Sequence, residues 1–416
     1  MKKQLTPAEQ LAKAQVPKEE QPYQLPKGWQ WVRLGGLTQI IGGGTPSSKN
    51  DAYYEGGTIP WIRPADLSGY QDKYIERGER SITELGLAKS SARLLPADTV
   101  LLSTRAPIGY VAIAANEVTT NQGFKSFLPS SLYGPSYLYW YLKGNKDMLE
   151  RHASGTTFLE LSAKRASEIM MPLPPMEEQQ RIVQRIESLF AKLDAAEVRL
   201  NAVAATFAPR KAVLLRSAIH GKLTTLQDVC KSIFDGDHMP PPKVEEGVPF
   251  LVIANVHTGK LDFSQTRYVP QSYYDKISTT RKPEKGDVLY TLVGSYGIPV
   301  LVDTDQAFCF QRHMGLLKPD HSKVETKYLW YALQLQNVFQ QATAIAKGTA
   351  QLTVPIKGFR QLHIPLPPLP EQRAIVAQLD RLLAREHQAA VAVTRARTEL
   401  RRLRAAILAR AFRGEL

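Results

Sequence analysis

The chain has 416 residues, enough for two or three domains that each bury a core of their own, so a small scaffold held by staples is excluded. Hydrophobic residues at 43% and charged residues at 22%, with 27 Gly and 28 Pro, exclude a disordered or fibrous chain. Lys and Arg number 53 against 39 Asp and Glu, a net charge of +14 that suits a phosphate-coated partner; a merely solvated basic surface is the competing explanation.

Cys230 and Cys309 are too few for a disulfide framework and too far apart for a zinc knuckle, which points to the reducing cytoplasm. No apolar run follows Met1-Lys2-Lys3, and the uncharged stretches are shorter than a membrane span. The expectation is a protein neither exported nor inserted into a membrane.

In chain order, residues 1–24 form a leader, and residues 25–176 a mixed region with short β-branched or aromatic runs at Thr99–Leu102 and Tyr110–Ile113. A short helix is predicted over Tyr137–Leu142, followed by a proline-rich exit that should continue neither a ladder nor a helix. Residues 177–223 change period: Ile182, Val183, Ile186, Leu189, Phe190 and Leu193 recur at helical spacing. Pro209 predicts a kink or break in this long helix.

The same order then returns. Residues 224–369 carry strand-like runs at Phe250–Ile253 and Val288–Leu292 and a short helix candidate at Tyr328–Leu333; residues 370–416 carry Ile375, Val376, Leu379, Leu382 and Leu383 at helical spacing. An offset of 193 pairs Glu178 with Glu371, Gln179 with Gln372, Gly155-Thr156 with Gly348-Thr349 and Lys164 with Lys357. Further upstream it drifts, aligning Pro60 and Asp66 with Pro249 and Asn255, and Gln122 with Gln311.

Each long helix spans roughly 40 residues, or about 60 Å at 1.5 Å per residue. A stripe of that length must be covered, and the simplest cover is the other helix, packed antiparallel with the mixed modules at opposite ends. The alternative is that each helix packs on its own module. Residues 177–223 hold 8 basic and 5 acidic groups and residues 371–416 hold 10 and 5, with Arg401, Arg402 and Arg404 the densest cluster. Such a bar can hold duplex backbone while the modules read base edges, or can dock an acidic protein.

Polar loop residues are the candidate DNA contacts. In the first module they are Thr45, Ser47, Ser48, Lys49 and Asn50 after the Gly42-Gly43-Gly44 run, then Arg63 with Asp66, Ser103, Thr104, Arg105, Asn121, Gln122 and Lys125. In the second they are Asp237, His238, Lys243, Asn255, Ser295, Tyr296, Gln311, Arg312 and His313. Arg, Asn and Gln can each make paired hydrogen bonds to a base edge. Turn formation and capping are the competing roles for the same residue types.

No catalytic motif accompanies them. The glycine run lacks the Gly-Lys-Ser/Thr ending of a phosphate loop, the Pro-Pro pairs lack the acceptor of an amino-methyltransferase, and no His, Cys or carboxylate cluster has metal-ligand spacing. Asp320, Glu325 and Lys327 imitate a nuclease signature, but the gap between the acids leaves little room for the usual hairpin. A large, basic, duplicated protein without an engine reads as one that steers another protein's engine.

The motifs GGGTPS at Gly42, IPWIRPADL at Ile59, NQGF at Asn121 and the doubled PLPP-x-x-EQ at Pro172 and Pro365 resemble those of specificity subunits of type I restriction-modification systems, over nearly the whole chain from about Leu25. The resemblance implies a mixed α/β fold: two tandem target-recognition domains (25–176 and 224–369) separated by two helical spacers (177–223 and 370–416) forming an antiparallel coiled coil, with a pseudo-two-fold internal repeat. It implies a non-catalytic subunit that reads a bipartite, asymmetric target on double-stranded DNA. Two methylation subunits would bind S-adenosylmethionine, and restriction subunits would use ATP and Mg, with no cofactor in this chain. Three other readings stay open: a free-standing two-module DNA-binding regulator, a nuclease built on Asp320, Glu325 and Lys327, and an RNA-binding scaffold, for which no aromatic RNP-like stretch exists.

Overall fold

The runs that punctuate the two mixed modules become strands of matching sheets. A computed structural model describes residues 6–105, 107–155, 159–236, 241–349 and 351–416. It divides into two units, Met1–Arg199 with Ala396–Leu416, and Leu200–Arg395.

In the first unit the strands are β1 (Gln30–Arg33), β2 (Ile40–Gly42), β3 (Ile59–Ile62), β4 (Tyr74–Ile75), β5 (Arg80–Ile82), β6 (Val100–Thr104), β7 (Ile108–Ala114), β8 (Thr119–Thr120), β9 (Phe124–Phe127) and β10 (Met170–Leu173). They build a sheet of order β2-β9-β6-β7-β4, a second of order β5-β3-β8, and the pair β1-β10. The pairs β4–β7 and β3–β8 are parallel, so the sheets are mixed. The second unit contains β11 (Lys222–Thr225), β12 (Cys230–Asp235), β13 (Val248–Leu251), β14 (Arg267–Val269), β15 (Val288–Thr291), β16 (Pro299–Leu301), β17 (Cys309–Phe310), β18 (Met314–Pro319) and β19 (His363–Leu366). Its sheets run β12-β18-β15-β16, β14-β13-β17 and β11-β19, the same order apart from the β4 edge.

The helices that matter here are α1 (Pro7–Ala14), α2 (Pro135–Gly144), α3 (Met176–Ala218), α4 (Thr326–Ala332) and α5 (Leu369–Ala411). In the first unit Val100, Leu102, Val111 and Ile113 share a core with Tyr137, Leu138 and Tyr141 of α2, while Leu101, Ala112 and Ala114 face Ile62 and Phe124 on the other side. A sheet covered on both faces has no polar side, which is why β6 is buried at every position.

Both long helices form as the periodicity predicts. Within the first unit Ile182 and Ile186 of α3 bury against Leu408 and Ala411 of α5, and Arg404 bonds Asp194 and Glu197 (3.2 Å to the latter). Within the second, Leu215 and Ile219 of α3 share a core with Ile375, Val376 and Leu379 of α5, and Arg210 pairs with Glu386 at 2.6 Å. In each unit the residues of one helix meet those of the other in reverse chain order.

One expectation is narrowed and one needs correction. Helix α3 runs through Pro209 without a break. Proline there removes one N–H and crowds the carbonyl of Ala205; both residues are exposed, so water can take the freed carbonyl. The proline-rich exits do continue a ladder: Pro172 pairs with Trp31 and Pro365 with Leu223. Each belongs to a two-stranded sheet, where both strands are edges and a missing N–H can face away from the partner. Residues 6–24 of the leader pack into the first unit. Thr6 and Glu9 form a capping box on α1, the Val16 N–H bonds the Trp31 carbonyl at 2.8 Å, and the Tyr23 hydroxyl donates to the Phe412 carbonyl at 3.0 Å.

The doubled Glu-Gln at the helix entries acquires a physical meaning. Gln179 is buried; its Oε1 accepts the Gly134 N–H at 2.9 Å and its Nε2 donates to the carbonyls of Leu132 (3.1 Å) and Pro174 (3.0 Å). Gln372 repeats this with the Glu325 N–H (2.8 Å) and the carbonyls of Lys323 (3.0 Å) and Pro367 (2.8 Å). One amide thus ties the start of α3 or α5 to the start of α2 or α4. About two turns further on, Glu187 accepts from Lys73 and the Trp140 indole, and Asp380 accepts from Lys327 and the Tyr331 hydroxyl.

Candidate nucleic-acid interface

The glycine run explains itself by close approach. A Cβ on Gly43 would lie 1.9 Å from the Asn121 carbonyl oxygen, and one on Gly44 would lie 2.1 Å from the Ala92 nitrogen. The Gly44 and Pro46 carbonyls accept from the Trp61 indole (2.9 Å) and the Tyr54 hydroxyl (2.6 Å). The run therefore seats a loop whose outer residues, Thr45, Ser47, Ser48, Lys49 and Asn50, remain exposed. Thr45 bonds the exposed Gln122, which brings the β2–β3 loop to the β8–β9 turn. Asn50 faces inward in one respect: its Oδ1 caps the Ala52 N–H at 3.2 Å.

At the same end of the large sheet, Arg105 is exposed between β6 and β7 and makes no ion pair among the described residues. Its neighbours in the candidate list are engaged elsewhere. Ser103 is buried, donating to the Pro107 carbonyl and accepting the Tyr110 N–H, both at 2.8 Å; Thr104 is buried and donates to the Gly123 carbonyl at 3.2 Å. Lys125 is buried 4.0 Å from Glu160, and that burial, opposed by Glu160, holds its ammonium below the ordinary lysine value. Arg63 pairs with Asp66 at 3.0 Å and Glu79 at 2.6 Å.

In the second unit Ser295, Gln311 and His313 come together with Arg267 and Gln351 around an open groove of about 530 Å3. Arg312 stands exposed beside it. Burial first, and then the Arg312 charge, hold the His313 imidazole below its ordinary value, which favours the neutral ring with one donor and one acceptor nitrogen. Asn255 is buried as a loop organiser: Oδ1 accepts the Val252 N–H at 3.0 Å and Nδ2 donates to the carbonyls of Asp262 and Gln265. Asp66 does the corresponding work in the first unit, accepting the N–H groups of Arg63 (2.7 Å) and Glu79 (3.2 Å). Tyr296 stacks on Phe339 at 5.5 Å and donates to Thr343. Lys243 is exposed on the approach to β13, and Asp237 and His238 lie outside the described residues.

The structure therefore leaves two surface clusters: exposed Thr45, Ser47, Ser48, Lys49, Asn50, Arg105 and Gln122 in one unit, and in the other exposed Ser295 and Arg312 beside half-buried Gln311 and His313. Ser103, Thr104, Lys125, Arg63, Asn255 and Tyr296 make their observed hydrogen bonds, ion pairs or ring contacts within their own unit, as capping and pairing use the same residue types as base reading. Arg267 and Gln351 also line the groove; neither stands in a motif, and only the fold brings them there. Arg404, from the basic cluster, is held over the Phe190 ring at 5.3 Å.

The nuclease-like residues are likewise engaged. Asp320 accepts from Ser322, Glu325 caps the Tyr328 N–H at 2.7 Å, and Lys327 pairs with Asp380. Among the described residues no group of three or more His, Cys, Asp or Glu side chains is placed to hold a metal ion, and no helix is long and apolar enough to cross a membrane.

The type I restriction modification DNA specificity domain model matches residues 26–205 and again 222–390. The specificity subunit of the MjaIX type I restriction enzyme of Methanocaldococcus jannaschii is 44% identical over 167 residues, a match spanning 40% of this chain and 38% of that relative's length. The EcoKI specificity subunit of Escherichia coli K12 is 22% identical over 94% of this chain and 90% of its own. A solved chain of a type I restriction-modification system, 23% identical, shares the fold with a TM-score of 0.75, over 95% of this chain and all of its own length. Two matched domains over one duplicated scaffold place the chain in the family of type I restriction-modification specificity subunits, whose members are non-catalytic DNA-recognition proteins.

Proposed function

We propose that this chain reads an interrupted, asymmetric target on double-stranded DNA, one half with each unit, and directs methylation and restriction subunits to it. The observation that carries the reading is the combination of a repeated strand order with unlike exposed loops. Thr45, Ser47, Ser48, Lys49, Arg105 and Gln122 face solvent in one unit where Lys243, Ser295 and Arg312 do so in the other, beside half-buried Gln311 and His313. One scaffold bearing two different polar surfaces suits two different half-sites.

Helices α3 and α5 act in this reading as an antiparallel coiled coil that fixes the unread gap. The reverse order of their contacts within each unit supports it. S-adenosylmethionine belongs to the methylation subunits, and ATP and Mg to the restriction subunits, all in the cytoplasm.

Exchanging residues 25–176 for the equivalent module of another family member tests the reading. Sequencing of methylated sites in cells that carry the hybrid with its methylation subunits should show one half-site changed and the other kept. Change in both halves, or in neither, contradicts it.

A further inference from the structure

Each unit carries a short polar segment, after a short helix, that the reading above does not use. Helix Glu84–Ala88 leads into Lys89–Arg93, and helix Gln271–Lys276 leads into Ile277–Arg281. The turns that follow establish the correspondence. Asp98, at φ 64°, donates its N–H to the Ala114 carbonyl at 2.8 Å, and Gly286, at φ 97°, donates to the Val302 carbonyl at 2.9 Å. The Ala114 and Val302 N–H groups return to the Thr99 and Asp287 carbonyls, both at 2.9 Å. All three pairs lie 188 residues apart, and the same offset sets Ser90-Ser91-Ala92-Arg93 on Ser278-Thr279-Thr280-Arg281.

Exposed cations are ordinary on a protein of this charge; these are set apart by their repetition and their place. The exposed loops beside them differ between the units, whereas a run of two hydroxyl residues, a spacer and an arginine returns. Two readers of unlike sequences meet one common feature on their targets, the phosphate backbone, so a repeated polar surface next to unlike ones fits phosphate. In the first unit a Cβ on Gly44 would lie 2.5 Å from the Ser91 Oγ, so Ser91 abuts the start of the Thr45–Asn50 loop. In the second, Lys276, Ser278 and Arg281 line one cleft with Gly236 and Phe310, and Phe310 precedes Gln311 and Arg312. Lys89, Ser91, Arg93, Lys276 and Thr279 are exposed, and the three cations among them make no ion pair among the described residues. Arg281 is half-buried over the Phe234 ring; its 3.8 Å approach to Asp235 is too long for a hydrogen bond, which leaves its N–H groups for a second anion. Residues 85–97 and 276–283 contain no Asp or Glu.

We propose that Lys89, Ser91 and Arg93 in one unit, and Lys276, Thr279 and Arg281 in the other, grip the phosphates at each half-site and set each reader's register on the duplex without reading its sequence. The inference rests on the DNA-reading function proposed above. Its test is a salt titration of duplex binding by the full chain with its methylation subunits, on the target found by methylation sequencing and on an unrelated duplex of equal length. Lys89→Ala, Arg93→Ala and Lys276→Ala should each weaken binding to both duplexes alike, by about tenfold, and make the slope of log affinity against log salt shallower by about 0.9, one phosphate contact's worth of counterion release. The ratio of the two affinities and the methylated sequence should stay as in wild type. Lys89→Arg should keep the slope, and Lys13→Ala, which removes an exposed cation of α1, should leave it unchanged. Melting temperatures should match wild type, the three side chains being exposed. Target preference kept with unchanged slopes overturns the proposal alone. So does equal shallowing by Lys13→Ala, which reports net charge rather than contact. An altered half-site makes these residues base readers, a lowered melting temperature assigns them to the fold, and weakened assembly with normal DNA binding by the assembled complex makes them a protein-docking surface; each of these also overturns it. A wild-type complex with no sequence preference overturns the functional reading itself.

Discussion

Gln179 and Gln372 show how much one buried amide can organise. Each accepts one backbone N–H and donates to two carbonyls, so removal strands three polar groups in a dry site. Gln372→Leu should therefore destabilise the protein by about 2–4 kcal/mol, read from urea unfolding; a change within error would show that water replaces the amide. Asp66 gives a pH signature. Burial works to raise its carboxyl, but the Arg63 guanidinium and the N–H groups of Arg63 and Glu79 outweigh it and hold the pKa below the ordinary value. Its stabilising contribution is complete above the unfolded aspartate value of about 4 and is lost as pH falls through the lower folded value. Unfolding free energy measured from pH 6 downward should decline below about pH 4, and Asp66→Asn should flatten part of that decline. Cys230 behaves as a small core residue: burial first, then Asp287 and Asp320, push its thiol up to about 12. Neither Cys230 nor the buried Cys309 should react with a thiol reagent until the protein unfolds; rapid native labelling would contradict the packing.

Among the elements, the long helices were legible because an apolar stripe of helical period over some forty residues has few other solutions. The repeat was legible because its offset stays fixed from Gly155 onward. The β1–β10 and β11–β19 ladders were not, since they hold prolines that local rules exclude from strands, and the tolerance comes from being edges of two-stranded pairs. Site residues were least legible. Ser103, Thr104 and Asn255 carry the side chains expected of base readers, and only the fold shows their hydrogen bonds turned to their own backbone. Pro209 supplies an element-scale test. In an exposed helix interior it costs a hydrogen bond and a clash, so Pro209→Ala should stabilise the helical segment by about 1–3 kcal/mol, seen as a later unfolding transition at 222 nm. No shift would mean that the local backbone has already relaxed around it.

At the scale of the whole molecule, duplication explains the charge and the architecture together. Two modules of unlike surface sit on one repeated framework, and more than half of the net positive charge lies in the two segments that contain α3 and α5. The account makes these helices a ruler between half-sites, and a ruler can be lengthened. Matched insertions of seven residues after Arg199 and after Arg395 keep the heptad phase of both stripes and add about 10 Å, or about three base pairs at 3.4 Å each. Sequencing of the sites methylated by the lengthened protein with its methylation subunits should show both half-sites unchanged and the gap between them longer by about three base pairs. The original gap retained at full activity would contradict the account.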